Sequence, residues 1–265
     1  MTGQLDQYAT EIGLWQGIFE KYGIDLQTTE FVAGINTIDA VVNGTADIGM
    51  MADYAAVNRL GNTLDATNLQ IFSQISGGQS ALSGGLYVDP KYADDPKSLD
   101  GSAGFMYQEG TVTYYYASKC IEYLGLDESK QNLINTDSSQ TRLALIQKGG
   151  ASAVYANGSE AKYIEEAGWV QVATSQEIGI QTGSYFLSTD KYISENTDTL
   201  AKFLQAVDES TQYINDHLDE SAEYLADKLG LKAEDFKENW KNYSFEPGFS
   251  EEATTHLEDI EKWGF

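Results

Sequence analysis

The chain has 265 residues, 42% of them hydrophobic, and carries 41 acidic against 16 basic side chains for a formal charge of −25. That length suits one large domain or two lobes with a real core, and the apolar fraction argues against disorder. So acidic a surface repels phosphate backbones and argues against nucleic-acid binding, while acids dispersed along the chain point to a solvated face and not an acidic arm.

In chain order, helical spacing comes first: Ile12, Trp15, Ile18 and Phe19 fall on one face, and Gly23 is placed to close that helix. Ile24 to Phe31 reads as a strand. "INTIDAVVNG" reads as a helix stopped by Gly44, "ADIGM" as a buried strand, 54–60 as a helix and "LQIFSQIS" as a strand. A second alternating set follows. "AGFMYQ" is a strand, and "TVTYYYASKCIEYLG" is a helix whose core stripe is Tyr116, Cys120 and either Tyr123 or Leu124. Then come strand "NLINT", helix "SSQTRLALIQKGG" capped by Ser138 or Ser139, strand "SAVYA", helix "SEAKYIEEAG" and strand "WVQVATS". "SALSGGLYVD" and "SYFLSTDKYI" are β-rich and long enough to cross between lobes. From about Glu195 the chain is helical and acidic, with Leu200, Phe203, Leu204, Val207 and Ile214 on one face, and is expected to cover the first lobe.

The opening "MTGQLDQYATEIGLW" is loop and then helix, whereas a β-α alternating lobe opens on a strand. The expectation is that Met1 ends a strand whose upstream residues are not part of this sequence.

Cys120 is the only cysteine, so neither a disulfide framework nor a cysteine metal site is available. His217 and His256, the only histidines, lie in different helical segments and read as surface or packing residues, which leaves a Ser-His or zinc-hydrolase reading little support. Cys120 reads as a buried small hydrophobe. No apolar run reaches the ~18 residues of a membrane span. No cofactor is expected.

The turn after "AGFMYQ" carries the clearest binding signal. A strand that stops at Gly110 and enters a helix leaves N–H groups free at the positive end of the helix dipole, suited to an anionic or polar head. Gly110 permits close backbone approach, and Thr111 either caps the helix or adds a donor. Glu109 beside this turn either faces away, meets a positive charge on the ligand, or excludes an anion. In the first lobe Thr2, Gly3 and Gln4 occupy the matching strand-to-helix turn. Gln79 and Ser80 start a crossing segment, Tyr155 and Asn157 end a second-lobe strand on one face, and Tyr114 is the helix tyrosine placed nearest a ligand.

"GIFEKYGIDLQTTEFVAGINTIDAVVNGTADIG" resembles the opening of the alkanesulfonate, taurine and nitrate class of ABC-importer solute-binding proteins. The resemblance rests on Gly17-Ile18-Phe19, Tyr22-Gly23-Ile24, Asn43-Gly44 and Ala46-Asp47-Ile48, then on Asp100-Gly101 and Gly110-Thr111 in "SLDGSAGFMYQEGTVTYYYASKCIEYLGLDES", and on "LALIQKGGASAVYANGSEAKYIEEAG". Two departures are Ser152, where the family has an acid, and Tyr155-Ala156-Asn157-Gly158, where it often has an aromatic-acid-proline stretch. The resemblance implies an α/β, two-lobe periplasmic-binding fold, each lobe a mainly parallel sheet flanked by helices, joined by two crossing strands. Lobe one is expected at 1–82 plus 187–265 and lobe two at 83–186. It also implies that Asp53 matches an acid of sulfonate binders, its other reading being a helix cap. The expected activity is capture of a sulfonate, aminosulfonate or similar oxyanion in the cleft and delivery to a membrane permease, by a non-enzymatic, extracytoplasmic monomer whose export segment is not in this sequence. The alternatives are a thiamine-pyrimidine-like or other heteroaromatic solute, or an enzyme on the same scaffold. The yeast-type thiamine-pyrimidine synthase needs a cysteine cluster and an active histidine, which the sequence does not offer.

Overall fold

The computed structural model describes residues 5–31, 34–63, 68–78, 84–101, 104–109, 111–241 and 243–264. Met1 therefore lies outside the described residues. The chain divides into two compact units, Met1–Gly77 with Gly183–Phe265, and Gly78–Thr182.

The first unit opens with helix α1 (Leu5–Trp15) and the short α2 (Ile18–Lys21). The sequence reads as one helix here. It breaks at Gly17, whose φ of 67° is left-handed and open to glycine at little steric penalty. Helices α3 (Gly34–Val42) and α4 (Asp53–Thr63) flank strand β1 (Gly49–Ala52), which starts three residues later than the "ADIGM" reading places it. With β2 (Leu69–Gly78) and β8 (Thr182–Thr189) it makes a three-stranded sheet in the order β1-β8-β2. β1 runs antiparallel to β8, with Met50 opposite Phe186. Beyond β2 an extended stretch continues the pairing: the Gln74 N–H donates to the Gly248 carbonyl and the Glu246 N–H to the Ile75 carbonyl.

Side chains alternate across β8, so Phe186 and Leu187 serve opposite faces. On one face Phe186 joins Ile12, Phe19, Phe203, Val207, Ile214 and Trp240 in a buried cluster. On the other, Leu187 packs with Ile38, Val41, Met51 and Ala56. The first cluster draws on α10 (Thr197–Asp216), α11 (Leu218–Leu229) and α12 (Ala233–Trp240), while α9 (Asp190–Glu195) and α13 (Glu251–Gly264) complete the acidic C-terminal run. Phe186 and Phe203 meet edge-on with ring centres 5.1 Å apart, while Phe72 stacks on Phe186 at 5.9 Å. Each such buried side chain contributes about 1.5–3 kcal/mol. Trp15 is partly exposed and stacks on Tyr224 at 4.2 Å.

Ile24–Phe31 is not a paired strand. Ile24 and Leu26 are half-buried against the core, but among the described residues no strand bonds to this segment. Alternation alone reads as a strand; a ladder needs a neighbour as well.

The second unit holds a five-stranded sheet, β5-β4-β6-β3-β7, formed by β3 (Gly84–Val88), β4 (Phe105–Tyr107), β5 (Leu133–Asn135), β6 (Ala153–Asn157) and β7 (Val170–Thr174). β4 is parallel to both β5 and β6, as the β-α-β reading requires, whereas the crossing strand β3 enters antiparallel between β6 and β7. Gly85 allows that insertion, since a Cβ there would run into the Ala173 carbonyl. Helices α5 (Val112–Tyr123), α6 (Ser139–Gln147), α7 (Gly158–Glu166) and α8 (Ser175–Ile178) complete the unit. Tyr116, Cys120 and Leu124 are buried on α5 and Tyr123 is exposed, which resolves the core stripe.

Candidate ligand site

Six of the sequence-predicted residues, Thr2, Gly3, Gln4, Gln79, Ser80 and Gly110, lie outside the described residues. The remaining ones fall in both units.

In the second unit the carboxyl ends of parallel β4 and β5 form a polar rim. The Thr111 hydroxyl caps α5: it accepts from the Thr113 N–H at 3.3 Å, donates to the Gln108 carbonyl at 2.8 Å and meets the Thr113 hydroxyl at 2.7 Å. Gln108 in turn donates its N–H to Thr113 Oγ1 at 2.8 Å. This knot spends the hydroxyl on the turn itself. Among the described residues the Val112 N–H keeps no partner, so the helix end retains an unspent donor.

Glu109 is exposed and tied to Asn135 at the end of β5. Its N–H donates to Asn135 Oδ1 at 3.0 Å, and the Asn135 amide donates to Glu109 Oε2 at 3.2 Å. The acid is thus held by a neutral amide, and the strand-end asparagine that holds it was not singled out from sequence. Next to it Thr136 donates both its N–H and its hydroxyl to the Tyr107 carbonyl at 2.8 Å. Buried Arg142 reaches Thr136 Oγ1 at 3.3 Å and pairs with Glu160 at 2.6 Å. An arginine at a helical position four after a serine N-cap gives no hint of this in the sequence.

Aromatic rings line the neighbouring strands. Tyr114 lies 4.8 Å from Tyr107, and its hydroxyl is 3.5 Å from Glu128. Tyr155 is buried against Tyr116 at 4.5 Å, and its hydroxyl is bonded to Ser175 at 2.9 Å. Burial pushes the Tyr155 phenol up to about 12, against a lowering by the Ser175 bond. Asn157 caps α7 by position without a side-chain cap bond, and its side chain is instead bonded to the Tyr155 phenol, which that bond lowers.

In the first unit Asp53 is almost wholly buried. Its carboxylate accepts the Tyr54 N–H at 2.6 Å, the Gly183 N–H at 2.8 Å and lies 2.7 Å from His256 Nε2. Asp53 is the first residue of α4 and accepts the N–H of the residue that follows it, which is not the bond of a helix cap to the second or third helical N–H; a direct ligand contact has to compete with three existing partners. His256 is a packing histidine with a specific carboxylate partner, and exposed His217 stacks on Tyr213 at 4.3 Å. Among the described residues no group of three His, Cys, Asp or Glu side chains is placed to hold a metal. Cys120 is fully buried, and desolvation drives its thiol well above the usual range.

Two units of helix-flanked sheet are the build of a periplasmic-binding-type protein. The model of the family described as NMT1/THI5 like matches residues 12–221, and the chain belongs to that family. No curated protein matches the chain by sequence. Among solved structures it is similar to the periplasmic aliphatic sulphonate binding protein SsuA from Escherichia coli, with a TM-score of 0.77 at 15% identity over 97% of this chain and 88% of that one. The periplasmic nitrate-binding protein NrtA from Synechocystis PCC 6803 gives 0.62 at 16%, over 94% and 71%. A DSZB mutant in complex with biphenyl-2-sulfinic acid gives 0.61 at 12%, over 96% and 88%. These likenesses establish a shared fold.

Proposed function

We propose that this protein is an extracytoplasmic solute-binding component of an ABC importer that captures a small sulfonate, aminosulfonate or similar oxyanion and passes it to a membrane permease. The observation that carries this reading is the α5 entrance: a parallel strand stops, the Thr111 knot fixes the turn, and the Val112 N–H is left unspent at the positive helix end. Such an end attracts an anion without a lysine, which suits a chain of net charge −25. Family membership and the fold shared with sulphonate- and nitrate-binding proteins support it. No helix among the described residues is long and apolar enough to cross a membrane, so the permease is a separate partner in this reading.

A heteroaromatic solute is the second reading, favoured by the Tyr107–Tyr114 ring pair beside the same turn. An enzyme on this scaffold draws support from the DSZB likeness. Against it stand a buried, hard-to-ionise Cys120 and a His256 already paired with Asp53.

Thermal-shift measurements with taurine, ethanesulfonate, nitrate and an aminopyrimidine separate these readings, because a ligand selective for the native state raises Tm. A rise with a sulfonate alone supports the proposal. A rise with the aminopyrimidine alone overturns it in favour of the second reading, and turnover of the stabilising compound overturns it in favour of an enzyme.

A further inference from the structure

The sequence holds two Asn-Gly pairs, Asn43-Gly44 in the first unit and Asn157-Gly158 in the second. Such a pair carries its own chemistry. The glycine has no Cβ, so its backbone nitrogen can approach the side-chain carbonyl of the asparagine before it. The structure treats the two pairs differently.

Asn43 and Gly44 follow the last residue of α3 and lie in an exposed run, 42–45. The Gly44 N–H donates to the Val41 carbonyl at 3.1 Å and the Thr45 N–H to the Ala40 carbonyl at 2.9 Å, with Gly44 at a φ of 70°. This is a helix end closed by a left-handed glycine in the Schellman arrangement. Its bonds sit at an exposed helix terminus, where local opening costs least. Among the described residues, nothing stands against the place a Cβ on Gly44 would take.

Asn157 is held far more firmly. It ends β6, a strand flanked by β4 and β3, and it pairs with Gly84. The two backbones are so close that a Cβ on Gly84 would strike Asn157. The Asn157 side chain is bonded to the Tyr155 phenol, which is itself buried against Ser175. Its backbone is extended, with φ of −141° and ψ of 171°. Bringing the Gly158 nitrogen onto the Asn157 amide requires the end of β6 to leave the ladder.

We propose that Asn43 is a site of spontaneous covalent modification, converted to aspartate and isoaspartate, and that the fold spares Asn157. The Gly44 nitrogen attacks Asn43 Cγ and gives up its proton. The bond from Cγ to the side-chain nitrogen breaks, and ammonia leaves with that proton. Water then opens the cyclic imide. Hydrolysis at one imide carbonyl gives aspartate. Hydrolysis at the other gives isoaspartate, in which the chain runs through Cγ.

Either product places a carboxylate at the negative end of α3, where the helix dipole disfavours it. Isoaspartate also adds a methylene to the backbone, so the Gly44 and Thr45 N–H groups lose their alignment with Val41 and Ala40. Because α3 carries Ile38 and Val41 into the Leu187 cluster, loosening its end reaches the core of the first unit. The inference stands on these two pairs and is independent of which solute the protein binds.

The test incubates the whole protein at mildly alkaline pH, folded and in urea, and follows its proteolytic peptides by mass spectrometry. In the folded protein the peptide holding Asn43 gains the mass of an amide-to-acid exchange and resolves into aspartate and isoaspartate forms. Its rate is expected to exceed that of the Asn157 peptide roughly tenfold or more, while in urea the two convert at comparable rates. Aged protein has a lower Tm than fresh protein and than Asn43→Asp, which adds the charge without the methylene. Asn43→Gln, whose longer side chain closes the imide ring poorly, keeps its Tm through the incubation. Equal rates at the two pairs in the folded protein, or conversion of Asn157 ahead of Asn43, overturn the proposal. So does an Asn43 that converts in urea but not in the fold. A Tm loss that persists in Asn43→Gln overturns the consequence drawn for α3.

Discussion

His256 Nε2 lies 2.7 Å from Asp53 Oδ2, across 203 residues of sequence, and both side chains are buried. The contact fastens α13 to the start of α4, and through the Gly183 N–H the same carboxylate also holds the first residues of β8. Three parts of the chain thus converge on one carboxylate. Tyr185 on β8 is buried nearby with its hydroxyl unpartnered among the described residues, and its phenol is pushed up by burial first and by the charge of Asp53 second.

Removing one member of a buried hydrogen-bonded pair leaves the other uncompensated. Asp53→Ala and His256→Ala are each expected to lower stability by about 3–5 kcal/mol, read from urea unfolding. The double variant should lose less than the sum of the two, because both delete one interaction. If Asp53 is a packing residue and not a solute contact, Asp53→Asn retains solute affinity at temperatures where it is folded. An affinity loss without a stability loss would return Asp53 to the site.

A partly buried pair, Arg142 with Glu160, gives a related test in the other unit. Arg142 joins α6 to α7 through Glu160 and to the β5 end through Thr136. Arg142→Met is expected to destabilise by about 3 kcal/mol, and Arg142→Lys to recover little, since an ammonium cannot reproduce the two-directional fork. Chemical denaturation of both variants checks this, and equal stability of the lysine variant and the parent would contradict it.

The elements that could be read from sequence are those whose information is local. The helix read over 111–125 is α5 at Val112–Tyr123, and Gly44 and Gly125, with φ of 70° and 68°, stop helices where a left-handed residue is needed. Ser138 caps α6 by accepting the Thr141 N–H. What sequence could not supply depends on distant partners. Ile24–Phe31 alternates like a strand yet has no neighbour among the described residues, and no local pattern reports a missing neighbour. The pairing of His256 with Asp53 and the tie between Glu109 and Asn135 join residues 203 and 26 positions apart. For the same reason Glu109 and Thr111 could be identified as a candidate turn, while the amide that holds the acid could not.

Alkaline pH should expose two of the buried phenols of the second unit. Burial raises Tyr87 to about 12, with the Glu165 hydrogen bond adding to it, and burial raises Tyr155 to about 12. In the unfolded chain a tyrosine titrates near 10. The folded form therefore holds these protons more tightly. The stability they confer is complete below pH 10 and is lost as pH rises from about 10 to about 12. Absorbance at 295 nm should show a late-ionising class of tyrosines, reduced in Tyr155→Phe, and urea midpoints should fall across that window. Uniform ionisation near pH 10 in the folded protein would contradict the assignment.

The turn at Glu109–Thr111 gives the sharpest test of the proposed function. Thr111→Val removes the hydroxyl that caps α5 and bonds the Gln108 carbonyl, so about 1 kcal/mol of stability should go with it. If this helix end holds the solute, affinity falls as well. The hydroxyl is spent on the turn, so the loss comes through the Val112 N–H losing its fixed direction. A neutral hydrogen bond is worth about 0.5–1.5 kcal/mol and one to a charged group about 1.5–3, which makes roughly 2- to 150-fold the upper range of the weakening. Glu109 then reports the charge of the solute. Its carboxylate is exposed and, among the described residues, held by Asn135, so Glu109→Gln removes a negative charge while keeping a carbonyl acceptor for the Asn135 amide. Tighter binding after that change means a plain anion that the carboxylate repels. Weaker binding means a solute bearing an amine or another donor, as in an aminosulfonate. Both effects shrink with added salt if they are electrostatic, because exposed charges are screened over ~8–10 Å at physiological ionic strength. Titration calorimetry of the stabilising solute against the two variants, at low and high salt, decides the sign, and unchanged affinity in both removes this turn from the site.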